Sequence, residues 1–140
     1  MSTVESTTPN QVSFDDVTVV VVTFNSAHCL PALSPLLQQC PHVVISDNAS
    51  NDGCAQQAQA MWPHATVLEH QQNLGFGAAN NQALQRVNTP FALLLNPDCE
   101  LTNAQLNSLL QTAHQHPDAA VVAPQLVQPS LQPEVNYRWP

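Results

Sequence analysis

Short apolar runs recur along this chain, and each one ends abruptly in polar or turn-forming residues. The runs begin at Val17, Val43, Ala65 and Phe91, and segments with apolar residues at helical spacing separate them. Strands that lack polar alternation are typical of a parallel sheet covered on both faces, and the intervening segments favour crossover helices. This order constrains the fold most, because it predicts an α/β domain with a mostly parallel sheet and helices on both faces.

The apolar run that begins at Phe91 stops at Asn96-Pro97-Asp98. Proline cannot donate to a sheet ladder and favours extended backbone at the preceding residue, so the strand must end there. We interpret Leu93–Leu95 as part of a central strand that is buried on both faces. A later apolar run, Ala119–Ala123, predicts a fifth strand.

Polar clusters follow the first four predicted strands. The clusters are Thr23–Asn25, Asp47–Gly53, Asn73–Asn81 and Asn96–Glu100. The carboxyl ends of parallel strands lie along one edge of a sheet, where open α/β sheets bind their ligands. We therefore expect these separate segments to meet in a single cleft.

Two of the carboxylates in these clusters are notable. Asp98 lies in a short oxygen-rich loop, which suits a hard divalent cation that bridges phosphates, although an ordinary Asn-Pro-Asp turn explains it equally well. In the second cluster, Ser50 or Asn51 can cap the next helix, with Asp52 in its first turn. Capping leaves Asp47 without a local role.

The charge balance narrows the possible partners. The net charge is −8, and only Arg86 and Arg138 are basic, which argues against binding to nucleic acid. Any phosphate must therefore be held by backbone N–H groups, helix ends or a metal. The four cysteines show no metal or disulfide spacing, and no apolar stretch is long enough to span a membrane, so we expect reduced thiols and a cytoplasmic protein. The six histidines lie outside the four clusters.

Gly75-Phe76-Gly77-Ala78-Ala79-Asn80 resembles part of a dinucleotide fingerprint at a helix N-terminus. A dehydrogenase-type domain is one interpretation. Against it, Asn80 replaces the third glycine, and the motif follows the third strand instead of the first.

Taken together, four motifs resemble those of family 2 glycosyltransferases of the GT-A fold. The similarity is greatest to the rhamnosyltransferase-like branch that acts in bacterial polysaccharide assembly. It runs from about Val17 to Pro140, with the motifs in the order of that family. The motifs are Val20–Ser26, Ser46–Gly53, Asn73–Gly77 with Asn80-Asn81, and Leu94–Asp98.

The resemblance implies a pocket for a nucleotide-diphosphate sugar with a dTDP, UDP or GDP moiety. The implied binding residues are Thr23, Asn25, Asp47, Asn73, Gly75, Asn80 and Asn96. Asp98 is the implied ligand of Mg²⁺ or Mn²⁺, because Asn96-Pro97-Asp98 occupies the place of the family's D-x-D motif. Asn96 in the first position leaves the metal fewer charged protein ligands, and Glu100 is better explained as a surface acid.

The resemblance also implies an inverting transfer of the sugar to a hydroxyl of a glycan or lipid-linked acceptor. The family's acidic base and acceptor-binding elements come later in its longer members, and Glu134 does not match that motif, so we name no catalytic base. We expect a flexible tail over residues 1–16, a truncated GT-A donor-binding domain over 17–124, and over 125–140 a tail that begins the acceptor-binding half. The alternative is a remnant that binds a nucleotide diphosphate without transferring sugar. The expected location is the cytoplasm, with peripheral attachment to the inner face of the membrane as an option.

Overall fold

The structure is a computed structural model that describes residues 13–128 and residue 130. Its strands are β1 (Val17–Thr23), β2 (His42–Asp47), β3 (Thr66–Glu69) and β4 (Phe91–Leu95). Its α-helices are α1 (Leu30–Leu37), α2 (Cys54–Met61), α3 (Phe76–Leu84) and α4 (Asn103–Gln115). Single 3₁₀ turns at Phe14–Asp16 and Ala27–Cys29 precede β1 and α1. Strands and helices alternate along these residues, as predicted.

The four strands form one parallel sheet in the order β3-β2-β1-β4. β1 lies between β2 and β4, and all seven of its residues are buried. The run of β-branched residues in β1 explains this position, because such side chains pack well on both faces of a pleated sheet. The predicted parallel α/β architecture is confirmed.

Alternate residues of β1 point into two separate cores. Val17, Val19 and Val21 pack in a large core with buried residues of α1, α2 and α4. Val20 packs on the opposite face with Val44 and with Ala83 of α3. Helices therefore cover both faces of the sheet, three on one side and one on the other.

The interpretation of Leu93–Leu95 as a central, fully buried strand is wrong. β4 is an edge strand that pairs only with β1 among the described strands, and Leu94 is 49% exposed. The apolar composition of the run indicated burial correctly for Leu95, which is 8% exposed. Composition does not determine which strand occupies the centre, and the longer β1 takes that place.

The predicted fifth strand at Ala119–Ala123 is also wrong. These residues have no regular secondary structure, and Val121 is 81% exposed. They share an apolar groove with β4, the C-terminal half of α4 and Leu84. A strand needs a hydrogen-bonded neighbour as well as an apolar sequence, and this segment forms no ladder with β4.

The two predicted tails lie largely outside the described residues, which exclude 1–12, 129 and 131–140. At the start of the described range, Ser13 caps the turn at Phe14–Asp16, and Phe14 packs against the large core. At the other end of the domain, Thr102 and Gln105 form the capping box that begins α4. None of the described helices is long and apolar enough to cross a membrane.

Candidate functional site

A cavity of about 620 Å³ lies at the carboxyl edge of the sheet. Residues that follow all four strands line it, which confirms the predicted convergence of the four polar clusters. They include Phe24 and Asn25 after β1, Asn48 after β2, Asn73 and Gly75 after β3, and Asn96 and Asp98 after β4.

Asp47 lies behind the cavity and organises the loop after β2. Its side chain is 3% exposed, and both of its oxygens accept hydrogen bonds from the protein. Oδ1 accepts from Thr23 Oγ1 at 2.8 Å and from Ser50 Oγ at 2.6 Å, while Oδ2 accepts from the Ser50 backbone N–H at 3.0 Å. This buried carboxylate thereby ties the end of β1 to the loop after β2.

Asn25 links the same two loops from the β1 side. Its backbone N–H donates to Ser50 Oγ at 2.9 Å, and its Oδ1 accepts from the Asn51 N–H at 2.8 Å. Its φ of 50° lies in the left-handed region, which asparagine tolerates better than most residues. Asn25 also lines the cavity, so its position is fixed from behind by the loop that Asp47 holds.

Neither Ser50 nor Asn51 caps α2, so that prediction is wrong. The N-cap is Gly53, with a φ of 79°, and the Ser50 hydroxyl donates to Asp47 instead. Asp52 acts at this helix start instead. Its Oδ1 accepts from the Cys54 N–H at 3.1 Å, and its Oδ2 accepts from the Ala27 N–H at 2.9 Å, which fixes the turn before α1.

Burial beneath this network raises the pKa of the Cys54 thiol. A hydrogen bond with Thr23 opposes the shift, while the negative charges of Asp47 and Asp52 add to it. The thiol is therefore an inert part of the core under the loops.

The loop between β3 and α3 is held by two asparagines. Asn48 Oδ1 accepts from the Leu74 N–H at 2.8 Å, and Asn73 Oδ1 accepts from the Gly75 N–H at 2.8 Å. Gly75 has φ 82° and ψ 161°, a conformation that is essentially restricted to glycine. Asn80 is buried and donates to the Phe76 carbonyl at 3.0 Å, which stabilises the first turn of α3.

A second contact fixes α3 to the sheet through Ser46 and His70. Ser46 Oγ donates to the Ala79 carbonyl at 3.0 Å and lies 2.8 Å from His70 Nε2. A hydroxyl has a single proton to donate, so Nε2–H of His70 is the donor in the second contact. The start of α3 is thereby held against the ends of β2 and β3.

The loop after β4 is more open. Asn96 and Asp98 are exposed, and the Asp98 side chain forms no hydrogen bond with a described residue. The turn is closed by the Cys99 N–H, which donates to the Asn96 carbonyl at 3.1 Å. Within the described ranges, no three Asp, Glu, His or Cys side chains come together as a metal site. One exposed carboxylate fits a divalent cation that is bound jointly with phosphate oxygens, as Mg²⁺ commonly is.

The eight residues proposed from the sequence fall into two groups. Those that line the cavity are Asn25, Asn73, Gly75, Asn96 and Asp98. Those that lie buried behind it are Thr23, Asp47 and Asn80. Asp47 accordingly has a local role that the sequence did not indicate, and its contact with a ligand stays a prediction.

Sequence reasoning missed several residues of the cavity wall. Phe24 and Phe76 both line it and are 49% and 57% exposed, respectively. Asn48 and His28 line it as well. Three of these residues lie within the polar clusters, next to residues that were proposed for the site, and could have been included with them: Phe24, Asn48 and Phe76. His28 lies outside every cluster, and nothing in the sequence indicated its position.

Comparison with known proteins agrees with this arrangement. The model of the family described as Glycosyl transferase family 2 matches residues 18–137, which is most of the chain. The chain belongs to glycosyl transferase family 2. The resemblance predicted from the four motifs is therefore confirmed, and the dehydrogenase interpretation of Gly75–Asn80 is set aside.

Two relatives show what the chain is similar to. An N-acetylglucosaminyl-diphospho-decaprenol L-rhamnosyltransferase of Mycobacterium tuberculosis is 26% identical over 130 residues, which cover 82% of this chain and 42% of the relative. The low-salt glycan biosynthesis hexosyltransferase Agl10 of Haloferax volcanii is 24% identical over 121 residues, covering 84% and 38%, respectively. The chain thus spans about two-fifths of the length of these relatives.

The structural comparison supports the fold. The crystal structure of residues 1–349 of S. aureus TarS superposes with a TM-score of 0.64 at 24% identity, covering 72% of this chain and 33% of that 1–349 chain. A longer TarS structure gives a TM-score of 0.63 at 23% identity, covering 72% and 20%. The predicted α/β GT-A class is confirmed by this likeness.

Proposed function

We propose that this family 2 domain binds the nucleotide-diphosphate sugar donor of an inverting glycosyl transfer to a glycan or lipid-linked acceptor in cell-surface polysaccharide synthesis. The observation that carries the proposal is the cavity lined by Asn25, Asn48, Asn73 and Asp98, which come from four separate segments. The names of the rhamnosyl- and hexosyltransferase relatives support the reaction class.

In this proposal the loops after β1 and β3 bind the nucleotide. Asn25 and Asn73 offer amide groups at the cavity wall, and the glycine at 75 lets the backbone approach the ligand closely. Asp47 contributes to the same subsite, either directly or by holding Thr23 and Ser50 in place. Because these contacts exist before a ligand arrives, binding costs less ordering of the loops.

The loop after β4 would hold the divalent cation, Mg²⁺ or Mn²⁺, through Asp98 with Asn96 nearby. A cation bound there supplies stabilisation of the negative charge on the departing diphosphate. The chain's own residues orient the donor so that its anomeric carbon faces an acceptor hydroxyl. That hydroxyl attacks the anomeric carbon, loses its proton to a base and inverts the configuration as the nucleoside diphosphate leaves.

A second candidate function is binding of a nucleotide diphosphate without transfer. The observation that favours it is the composition of the cavity wall. Asp98 is the only carboxylate among the described residues that line it. If Asp98 binds the metal, as proposed, it is not available as a base. A base for the acceptor would then have to come from another part of a longer protein.

Isothermal titration with dTDP, UDP and GDP, each with and without Mn²⁺, tests both functions. We expect one nucleotide to bind best and its affinity to rise with the metal. Folded protein that binds none of the three under either condition would contradict both functions. Adding the matching nucleotide sugar and an acceptor, and then measuring release of the nucleoside diphosphate, separates transfer from binding alone.

We also propose a cytoplasmic location, peripheral to the inner face of the membrane if the acceptor is lipid-linked. Cys29, Cys40 and Cys54 are free thiols in the structure, as expected in a reducing compartment. Fractionation of cells that produce the protein would test this location directly.

A further inference from the structure

The cavity must hold an anion in a chain with very few cations. A nucleoside diphosphate carries roughly two or more negative charges near neutral pH, whereas the net charge of the chain is −8. Arg86 is the only arginine or lysine in the part of the chain that the structure describes. It lies just past the C-terminal end of α3, about 15 Å along the helix axis from Phe76 at the cavity. Within the part of the chain that the structure describes, charge neutralisation therefore has to come from another group.

His28 is the one side chain of the described cavity wall that can become cationic. It is exposed, and its ring forms no hydrogen bond with a described residue. Its ring nitrogens are thus available to a ligand in the cavity.

The backbone on either side of His28 is firmly held. The Ala27 N–H donates to Asp52 Oδ2 at 2.9 Å, and the Ala27 carbonyl accepts from Gln57 Nε2 at 3.2 Å. The Cys29 N–H donates to the Ser26 carbonyl at 2.9 Å. These bonds fix the 3₁₀ turn, so His28 is presented at the cavity from a rigid support.

We propose that His28 binds the diphosphate of the donor, donating a ring N–H to a phosphate oxygen. It would act from the loop before α1, while Asp98 acts through the cation from the loop after β4. A ring N–H of an imidazolium forms a charge-assisted hydrogen bond with phosphate, which is stronger than a neutral one. The inference rests on the proposed function and adds a specific residue to it.

The test compares ligands that differ in phosphate number. Dissociation constants are measured for the nucleoside diphosphate that binds the unmodified protein best, its monophosphate and its nucleoside, with Mn²⁺ present throughout. For His28→Ala we expect the diphosphate affinity to fall about tenfold, the monophosphate affinity to fall less, and the nucleoside affinity to stay unchanged. His28→Gln keeps an N–H donor without the charge, so its affinity for the diphosphate should lie between those of the unmodified protein and His28→Ala.

His42→Ala is the matched control, because His42 is an exposed histidine at the amino end of β2, away from the cavity. It should leave all three affinities unchanged. Urea unfolding of each variant checks that the fold is intact, and His28→Gln decides the matter if His28→Ala does not fold.

The inference is overturned if the His28 variants bind the diphosphate as tightly as the unmodified protein. It is also overturned if they lose the nucleoside and the diphosphate equally, since that pattern indicates a purely structural role. If the unmodified protein bound no nucleotide, that result would contradict the proposed function itself.

Discussion

Two carboxylates lie at the carboxyl ends of β2 and β4, the strands on either side of β1, and they have opposite surroundings. Asp47, the last residue of β2, is 3% exposed and accepts hydrogen bonds from Thr23 and Ser50. Asp98, after β4, is exposed and accepts none from the described residues. We call the segment 47–52 with Thr23 and Asn25 the built wall; Asn25 and Asn48 line the cavity, and the other residues lie behind them. We call Asn96–Asp98, which line the cavity, the open wall.

The difference separates two kinds of site residue. Polar atoms of the built wall are satisfied by one another, so that wall keeps its shape without a ligand. The open wall leaves a carboxylate toward the cavity, where a cation and a phosphate could complete its contacts. Substitutions in the built wall should therefore reduce stability first, and those in the open wall should reduce binding first.

The largest expected effect is the loss of stability caused by a substitution in the built wall. Asp47→Ala leaves the Thr23 hydroxyl and the N–H and hydroxyl of Ser50 without their acceptor, and it should lower the free energy of unfolding by about 3 kcal/mol. Urea denaturation measures the change. Asp98→Ala is the matched control and should stay within about 0.5 kcal/mol of the unmodified protein. Equal stability of the two variants would abolish the distinction between the walls.

Gly75 tests whether the loop between β3 and α3 is as preformed as the built wall. Its φ of 82° and ψ of 161° strain any side chain, although a Cβ there would meet nothing within 4 Å. Gly75→Ala should therefore cost about 2 kcal/mol of unfolding free energy through backbone strain alone.

Gly77→Ala is the control for Gly75→Ala. Gly77 lies in the first turn of α3, has open space for a Cβ and lacks a positive φ. Alanine there should be neutral or slightly stabilising, because it has the higher helix propensity. Thermal or urea unfolding of both variants gives the difference, and similar values for the two would show that the loop is not constrained.

The open wall is tested by binding. Asp98→Ala should remove the effect of Mn²⁺ on nucleotide affinity, a change of about tenfold, while leaving the fold intact. Isothermal titration with and without Mn²⁺ measures it, and Glu100→Ala serves as the control because Glu100 is exposed and does not line the cavity. Unchanged metal dependence in Asp98→Ala would contradict the role assigned to that residue.

Much of the fold could be predicted because strand and helix periods are local properties of the sequence. The predicted bounds of β4, which begins at Phe91 and ends before Asn96, agree with the structure. The polar clusters also indicated the cavity, since parallel strands must end at a common edge. The central position assigned to β4 failed because strand order depends on long-range pairing, which composition does not encode.

The internal organisation of the site was less accessible. In the sequence, Asp47 and Asp98 are both acids after an apolar run, and Ser50, three residues after Asp47, is the local partner that Asp98 lacks. The surroundings of Asp47 also depend on Thr23, which reaches it only once β1 and β2 are paired. His28 was missed for the same reason, because its place in the cavity depends on Asp52, 24 residues away, holding the turn before it.

The smallest effect compares two buried thiols of the large core, Cys54 beneath the built wall and Cys40 before β2. Burial raises the pKa of Cys54 under that wall, and burial raises the pKa of Cys40, in the turn before β2, from 9.0 to about 11. Because the folded state holds these protons more tightly than the unfolded state, the contribution of the two thiols to the free energy of unfolding is constant below about pH 9 and falls as the pH rises above it.

The raised pKa of Cys40 should lower the free energy of unfolding by about 1 kcal/mol between pH 9 and pH 10. Cys54 adds a decrease of the same sign. Urea unfolding at a series of pH values measures it. In Cys40→Ala the unfolding free energy should fall less steeply at alkaline pH, because the contribution of Cys40 is lost and that of Cys54 remains. In an Asp52→Asn background the Cys54 part should shrink, because one of the charges that raises the pKa of that thiol is gone. If Asp52→Asn left the pH dependence of the unfolding free energy unchanged, the charge of Asp52 in the built wall would have no effect on the pKa of Cys54.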